Sequence, residues 1–512
     1  MEPEDPGTDR QKRTRKAAAA LKGMAPYVRD ELTRRLRRRG RPLKLEDVTV
    51  VDAGMLKRAV VASALGNCME WFDFGVYSYL AVIIGKVFFP HSTPQVQVLA
   101  SFTTFAAAFL IRPLGGFFFG PLGDRIGRQK VLATTMIMMA CGTFAIGFIP
   151  GYKTIGFAAP VLLLIARMVQ GFSTGGEYGG ATTFIAEYAP DRRRGFMGSW
   201  LDFGTFIGYA AGSGIVTLLT AIMGDHDMEA WGWRIPFLIA GPIGVIGLYV
   251  RLKLEDTPAY QEQLDKHDAE VAEREAGGAG HEIKTIFSQH WRAMLICMGL
   301  VLLYNVTNYM VTAYLPTYMT DSLHRTATLS DTLVLVSMLL VVALITFVGR
   351  LSDRIGRKPV FLIGAIAQIV LAFPCFLLIR QSGWVLPLIG TLVLAAILTF
   401  FAAPTAATLP ALFPTAIRYG AMGISFNIAV SAFGGTTPLV NQALVGGTHD
   451  LNWPAYYLIV SGAIGAVAAI ALRESALLPL KGSQPMVDTR EEAEELVTTS
   501  ELAMKEIRAG VE

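Results

Sequence analysis

GPLGDRIGRQK at residues 120–130 returns as GRLSDRIGRKP at 349–359. Each copy is a short polar turn with apolar sequence on both sides. A second echo follows at a matching distance: EYAPDRRRG at 187–195 and LFPTAIRYG at 412–420. The chain is therefore a duplication, and the turns mark equivalent points in two halves. A membrane-crossing helix needs about 20 mostly apolar residues. Working outward from the turns, spans are read at 58–84, 97–122, 129–149, 158–186, 198–222 and 234–252. A charged connector occupies 253–290. Six more spans are read at 292–319, 330–349, 359–379, 384–409, 420–445 and 454–473. The expected fold is an all-α membrane protein with twelve transmembrane helices in two pseudo-symmetric six-helix bundles. The expected organisation is a basic N-terminal extension (1–54), a first bundle (55–252), the connector (253–290), a second bundle (291–475) and a tail (476–512).

Composition agrees. Of 512 residues, 52% are hydrophobic and only 17% charged, with mean hydropathy +0.44. Average soluble domains carry about 25% charged residues, and single soluble cores stop growing near about 300 residues. Lipid is the remaining place for this much apolar surface. The four cysteines, Cys68, Cys141, Cys297 and Cys375, sit apart within apolar runs and suggest neither disulfides nor a metal site. Residues 1–50 contain no apolar core of a cleavable signal.

Basic residues cluster in alternate loops: Arg125, Arg128 and Lys130; Arg192, Arg193 and Arg194; Arg350, Arg354, Arg357 and Lys358. The opposite loops are poor in them. The positive-inside rule places the basic side, both termini and the connector in the cytoplasm. Trp231 and Trp233 are expected to anchor the outer interface.

The repeated GxLGDRxGRxK motif resembles the major facilitator superfamily. LGNCMEWFDFGVYSYLA (65–81), FLIRPLGGFFFGPLGDRIGRQK (109–130), FSTGGEYGGATTFIAEYAPDRRRGFMGSWLDFG (172–204), WGWRIPF (231–237) and LFPTAIRYG narrow the resemblance to the metabolite:proton symporter family. It covers about residues 55–482. What it implies is proton-driven import by alternating access about a midplane site, in a bacterial inner membrane. EYAPDRRRGFMGSWLDFG favours the branch that carries zwitterionic osmolytes such as proline or glycine betaine. Organic acids such as citrate, 2-oxoglutarate or shikimate are the second expectation. A non-transporting osmosensor is the alternative of another class, and drug efflux is less favoured because the family imports. Residues 483–512 show no sustained heptad repeat.

Charges inside a span are costly, about 2.5–3.5 kcal/mol each on insertion scales, so they face a cavity or a partner. Asn67, Glu70, Asp73, Phe74 and Tyr77 share one helical face. Carboxyls shielded from water can hold and release a proton, so Glu70 and Asp73 are the proton-coupling candidates, with Glu177 at the edge of the fourth span's polar face. Arg167, Gln170, Thr174 and Tyr178 form that face. Arg167 lies in RMVQGFSTGGE, similar to the family's fourth-helix motif. Its guanidinium suits a substrate carboxylate or an ionised Glu70 or Asp73. Arg112, twelve residues before Asp124, lies about 18 Å from the end of the second span, mid-membrane too, and is another candidate to bind substrate or serve as counter-ion. Trp71, Phe74, Tyr77, Tyr178, Tyr304 and Tyr309 are candidates for a cage around a quaternary ammonium. Asn305 and Asn308 are polar partners from the second half. Asp124, Arg128, Glu187, Arg194, Asp353 and Arg357 are expected to gate the cytoplasmic side.

No cofactor or metal is expected, and no nucleic-acid partner. Substrate and protons are the partners, with anionic lipid headgroups as a further one for the basic N-terminal extension. Catalytic and ATP-binding motifs such as GxSxG, HExxH and Walker sequences are not found, so an enzyme is not expected.

Overall fold

A computed structural model describes residues 6–126, 128–175, 177–255, 289–415 and 417–510. The side chains of Asp124, Arg128, Glu177 and Tyr178 and the connector residues 256–288 lie outside the described residues.

Among the described residues, eight helices are long and apolar enough to cross a membrane: Pro94–Phe119, Ala158–Tyr188, Asp191–Gly232, Trp291–Ser322, Ala327–Ile355, Arg357–Ile379, Val385–Thr408 and Trp453–Ala471. They are the second, fourth, fifth, seventh, eighth, ninth, tenth and twelfth spans. The first span, Ala53–Tyr79, starts on the side chain of Asp52, which accepts the Met55 N–H at 2.9 Å as a helix cap. It continues after a 61° bend as Ala81–Phe88. Two shorter apolar helices, Ala133–Phe148 and Arg234–Ile246, are the third and sixth spans. The eleventh runs as Arg418–Ala429 and Thr437–Thr448, separated by a π turn at Val430–Gly434. Among the described residues these helices follow the expected order of twelve spans, eight of them long and apolar enough to cross by themselves, or nine with the bent pair. The most apolar window of the seventh span is 78% buried and that of the ninth 39%, so the seventh lies centrally and the ninth faces lipid.

Small residues let the spans approach closely enough to exclude side chains between backbones. A Cβ added at Gly204 or Gly208 of the fifth span would stand 2.1 or 2.2 Å from the carbonyl oxygens of Ala64 and Cys68 in the first. A Cβ at Gly171 of the fourth span would stand 1.8 Å from the Ala108 carbonyl oxygen, and one at Gly175 2.1 Å from that of Arg112. These crossings hold the first span to the fifth and the second to the fourth. Trp231 is exposed, as an interface anchor would be. Trp233 corrects the expectation: it is fully buried, its ring 5.5 Å from Phe88 and 4.5 Å from the Arg234 guanidinium carbon.

The two tails, expected as separate segments, pack together. Helices Pro6–Gly23 and Pro26–Arg39 meet the C-terminal helix Arg490–Arg508 through Leu21, Leu36, Leu43, Ala503 and Met504. Strand Thr49–Val50 pairs in parallel with Met486–Val487. Lys16 bridges to Glu495 at 2.9 Å and Arg29 to Glu506 at 3.0 Å. Asp47 accepts from Arg41 (2.6 and 3.1 Å) and from the Lys44 N–H (2.9 Å), and pairs with Arg39 at 2.7 Å. Arg35 donates to the carbonyls of Pro479, Leu480 and Ser483. The signal was short because the helix 490–508 turns its apolar face to a partner more than 450 residues earlier.

Two tests follow from this packing. Gly171→Val forces the second and fourth spans apart and is expected to lose at least about 1–3 kcal/mol. The readout is the fraction of monodisperse protein after detergent extraction and its unfolding temperature. The second concerns Asp47, whose carboxyl the Arg41 guanidinium holds well below the usual carboxylate range. A depressed acid stabilises above its unfolded pKa, near about 3.9, and loses that contribution only as pH falls through the lower folded value. Hydrogen exchange over 26–47, corrected for intrinsic rate, is therefore expected to be equally slow at pH 5 and pH 8, and faster at both in Asp47→Asn.

Candidate functional site at the centre of the spans

The first span turns Asn67, Glu70, Asp73, Phe74 and Tyr77 inward, and all five are buried. Glu70 meets Arg112 of the second span at 2.9 Å, with each side chain 1% exposed. Arg112 Nη2 also points at the Thr174 carbonyl at 3.5 Å. Its guanidinium carbon is 5.4 Å from the centre of Phe109 and 5.8 Å from that of Phe74. Asp73 accepts from Thr143 Oγ1 at 2.8 Å, and Thr143 accepts from Gln170 Nε2 at 3.0 Å. Gln170 Oε1 in turn accepts from Arg167. A hydrogen-bond chain thus links Asp73 to Arg167 through the third and fourth spans. Of the two carboxyls expected near Arg167, Glu70 is held instead by Arg112, while Asp73 lies within electrostatic reach of Arg167 and is linked to it by that chain. Thr143 carries no sequence signal that sets it apart from other span threonines.

Arg167 lies 4.1 Å over the Tyr77 ring, with Phe74 and Phe105 at 5.1 and 5.2 Å. Aromatic faces attract a guanidinium but do not use its N–H donors. Among the described residues, Nε and Nη2 of Arg167 and Nε and Nη1 of Arg112 have no hydrogen-bond acceptor. Buried donors of this kind are uncommon in folded proteins. Both guanidiniums lie against one aromatic cluster and share Phe74, with Trp71 5.8 Å from Phe74 and 6.0 Å from Tyr309 of the second half. Tyr309 also packs on Phe109 at 5.2 Å.

The other second-half candidates stand elsewhere. Tyr304 leaves the cage and donates to Asp202 of the fifth span at 2.8 Å. Asn305 turns back on its own helix, donating to the Val301 carbonyl at 3.0 Å. Asn308, by contrast, is buried within reach of Tyr209, which packs on Trp71. Asp202 was missed although it lies within a motif that carried the resemblance.

At the end of the bundle where both termini lie, contacts across the halves close the seam. Asp353 accepts the N–H groups of Gly195 and Phe196 at 2.7 and 2.8 Å, placing a carboxylate at the start of the fifth span. Arg357 is fully buried and donates to the Ala407 carbonyl at 3.1 Å and to Ser475 Oγ at 2.8 Å. Glu187 and Arg194 each meet a charged partner at this end. Glu187 pairs with Arg418 of the second half, a residue of the echo motif that the sequence reading passed over. Arg194 pairs with Asp191 and donates to the carbonyls of Ala186 and Leu478 at 2.8 and 2.9 Å. Further along the seam, Asn427 donates to the Gly175 carbonyl at 2.7 Å and Ser431 to that of Phe109 at 2.6 Å.

Residues 59–484 match the family described as sugar (and other) transporter. The chain is 48% identical over 461 residues to the proline/betaine transporter of Salmonella typhimurium, covering 90% of this chain and 92% of that protein. The glycine betaine/proline/ectoine/pipecolic acid transporter OusA of Dickeya dadantii is also 48% identical, with the same coverage. An ectoine/proline transporter of Corynebacterium glutamicum is 45% identical over 89% of this chain and 91% of its own. Among solved structures, the proton:xylose symporter XylE bound to 6-bromo-6-deoxy-D-glucose superposes with a TM-score of 0.65 at 16% identity, covering 84% of this chain and 98% of that one. That likeness concerns the fold.

The pair across the seam can be tested by itself. Removing one partner of a buried ion pair costs about 3–5 kcal/mol, whereas replacing both with apolar groups is often neutral. Glu187→Gln is expected to lower the unfolding temperature of the detergent-solubilised protein by several degrees. Glu187→Gln with Arg418→Met is expected to recover much of that loss. Additive losses in the double variant would show that the two side chains do not act as a pair.

Proposed function

The chain belongs to the major facilitator superfamily, within its sugar (and other) transporter family, and on that premise we propose that it imports a small zwitterionic osmolyte, such as proline or glycine betaine, together with protons. It is a multi-pass membrane transporter and not an enzyme. The basic loops support a cytoplasmic placement of both termini in a bacterial inner membrane.

The observation that carries this reading is the Glu70–Arg112 pair beside unused guanidinium donors and an aromatic wall. The described centre holds two carboxylates, Glu70 and Asp73, and two guanidiniums, Arg112 and Arg167. That balance suits a neutral zwitterion better than a di- or tricarboxylate, which would leave uncompensated negative charge in a low-dielectric site. The substrate carboxylate takes guanidinium N–H donors. Its ammonium lies against Trp71, Phe74 and Tyr309.

Coupling follows from exchange at one cation. A proton arriving on Glu70 neutralises it and frees Arg112 Nη2 for the substrate carboxylate. Asp73, hydrogen-bonded to Thr143, is a second acceptor leading toward Arg167. When the seam opens at the termini end, the substrate leaves, the proton follows, and the ion pair re-forms. Opening there breaks the contacts of Asp353 with Gly195 and of Glu187 with Arg418. Each proton moved inward adds about 2.3 kcal/mol per 100 mV.

The test is uptake of labelled proline and glycine betaine into proteoliposomes under an imposed inward proton gradient. Gradient-driven accumulation is expected for both, with citrate and 2-oxoglutarate left outside. Glu70→Gln is expected to abolish accumulation while retaining exchange of substrate across the membrane, and Asp73→Asn to reduce it. Wild-type accumulation in both variants would remove these carboxyls from the coupling.

A further inference from the structure

A carboxylate that this mechanism does not use is buried at the other end of the seam. Asp331 stands four residues into the eighth span, about 6 Å from the helix end away from the termini. It is 3% exposed. Its backbone carbonyl accepts from Ser213 of the fifth span at 3.1 Å, so it faces the first half of the molecule. Tyr209 lies one turn before Ser213. A Cβ at Gly75 of the first span would stand 3.0 Å from the Tyr209 ring and 3.3 Å from the Tyr79 ring, so both rings lie over that glycine. Tyr79 is within electrostatic reach of both Tyr209 and Asp331.

Among the described residues, the Asp331 carboxylate makes no hydrogen bond or ion pair, and the Tyr79 hydroxyl has no partner. The two groups do not bond to each other, so both remain available to a third. A carboxylate kept in such a place against its desolvation cost marks a ligand path. When ionised, it selects a cation. Hard divalent ions take six or more oxygen ligands, and no group of three His, Cys, Asp or Glu is gathered among the described residues. One carboxylate within electrostatic reach of the Tyr79 ring, with Tyr209 packed over the same glycine, suits an organic ammonium.

We infer that Asp331, with the rings of Tyr79 and Tyr209, forms an outer subsite for the ammonium group of the entering solute, ahead of the central site. The inference rests on the reading of this chain as an importer of zwitterions. Continuity supports it. Tyr209 packs on Trp71 at 5.5 Å, and Trp71 lies beside Tyr309 and Phe74. An ammonium released by Asp331 can pass from ring to ring while the carboxylate of the same molecule is drawn toward Arg112.

The experiment uses the full chain in detergent and, as probe, labelled tetramethylammonium, a cation without a carboxylate. Equilibrium dialysis is expected to show saturable binding to wild type and about tenfold weaker binding to Asp331→Asn. Tyr79→Leu is expected to weaken it severalfold. In proteoliposomes, Asp331→Asn is expected to raise KM for glycine betaine about tenfold with kcat within about twofold, since only an entry contact is lost. Unchanged tetramethylammonium binding in Asp331→Asn overturns the subsite. So does collapse of gradient-driven accumulation at unchanged KM, which would make Asp331 a proton site. If Asp331→Asn is not monodisperse, Tyr79→Leu decides, and wild-type binding in that variant overturns the subsite. Should wild type carry no zwitterion, the proposed function falls, while the dialysis still decides whether Asp331 binds an ammonium.

Discussion

An ion pair held away from water governs this molecule. Glu70 and Arg112 are almost fully buried, and desolvating two charges costs more than a simple contact returns unless further hydrogen bonds satisfy them. Here the remaining guanidinium edges face rings instead of acceptors. The pair is therefore poised: its stability is low for its burial, and a better acceptor for Arg112 combined with a proton for Glu70 would displace it. That competition is what a coupled carrier requires, because neither event is favourable without the other.

The helix crossings make this arrangement possible. Gly171, Gly175, Gly204 and Gly208 bring the first, second, fourth and fifth spans to backbone contact, which packs Arg112, Arg167 and Glu70 into one enclosure. The second half contributes Tyr309 as a wall and, at the termini end, Asp353 and Arg418 as closures. Those closures lie within close packing of the fifth span on the eighth and tenth, where Gly195, Gly198 and Gly349 bring the two halves to backbone contact, so opening this end parts helix packing as well as hydrogen bonds. The docked tails add to the same end, with Arg35 and Arg194 holding the carbonyls of residues 478–483.

Much of this was legible in the sequence. The duplicated DRIGR turns marked the two halves, and helical spacing placed Asn67, Glu70, Asp73, Phe74 and Tyr77 on one inward face, as the structure has them. What spacing cannot give is partner choice. Spacing offered Arg167 to Glu70 or Asp73 and left Arg112 without a named partner, whereas in the structure it is Arg112 that meets Glu70. The 61° bend after Tyr79 had no Pro or Gly to announce it. Glu187 with Arg418 and Tyr304 with Asp202 are contacts between distant segments, invisible to local pattern. The docked tails escaped for the same reason.

Proton uptake on substrate binding tests the exchange at Glu70 most directly. Lightly buffered, detergent-solubilised protein is mixed with proline or glycine betaine, and the pH change is followed with an indicator dye. Displacement of Glu70 from Arg112 predicts uptake of on the order of one proton per solute bound, absent in Glu70→Gln. Tight binding with no proton uptake in the wild type would contradict it.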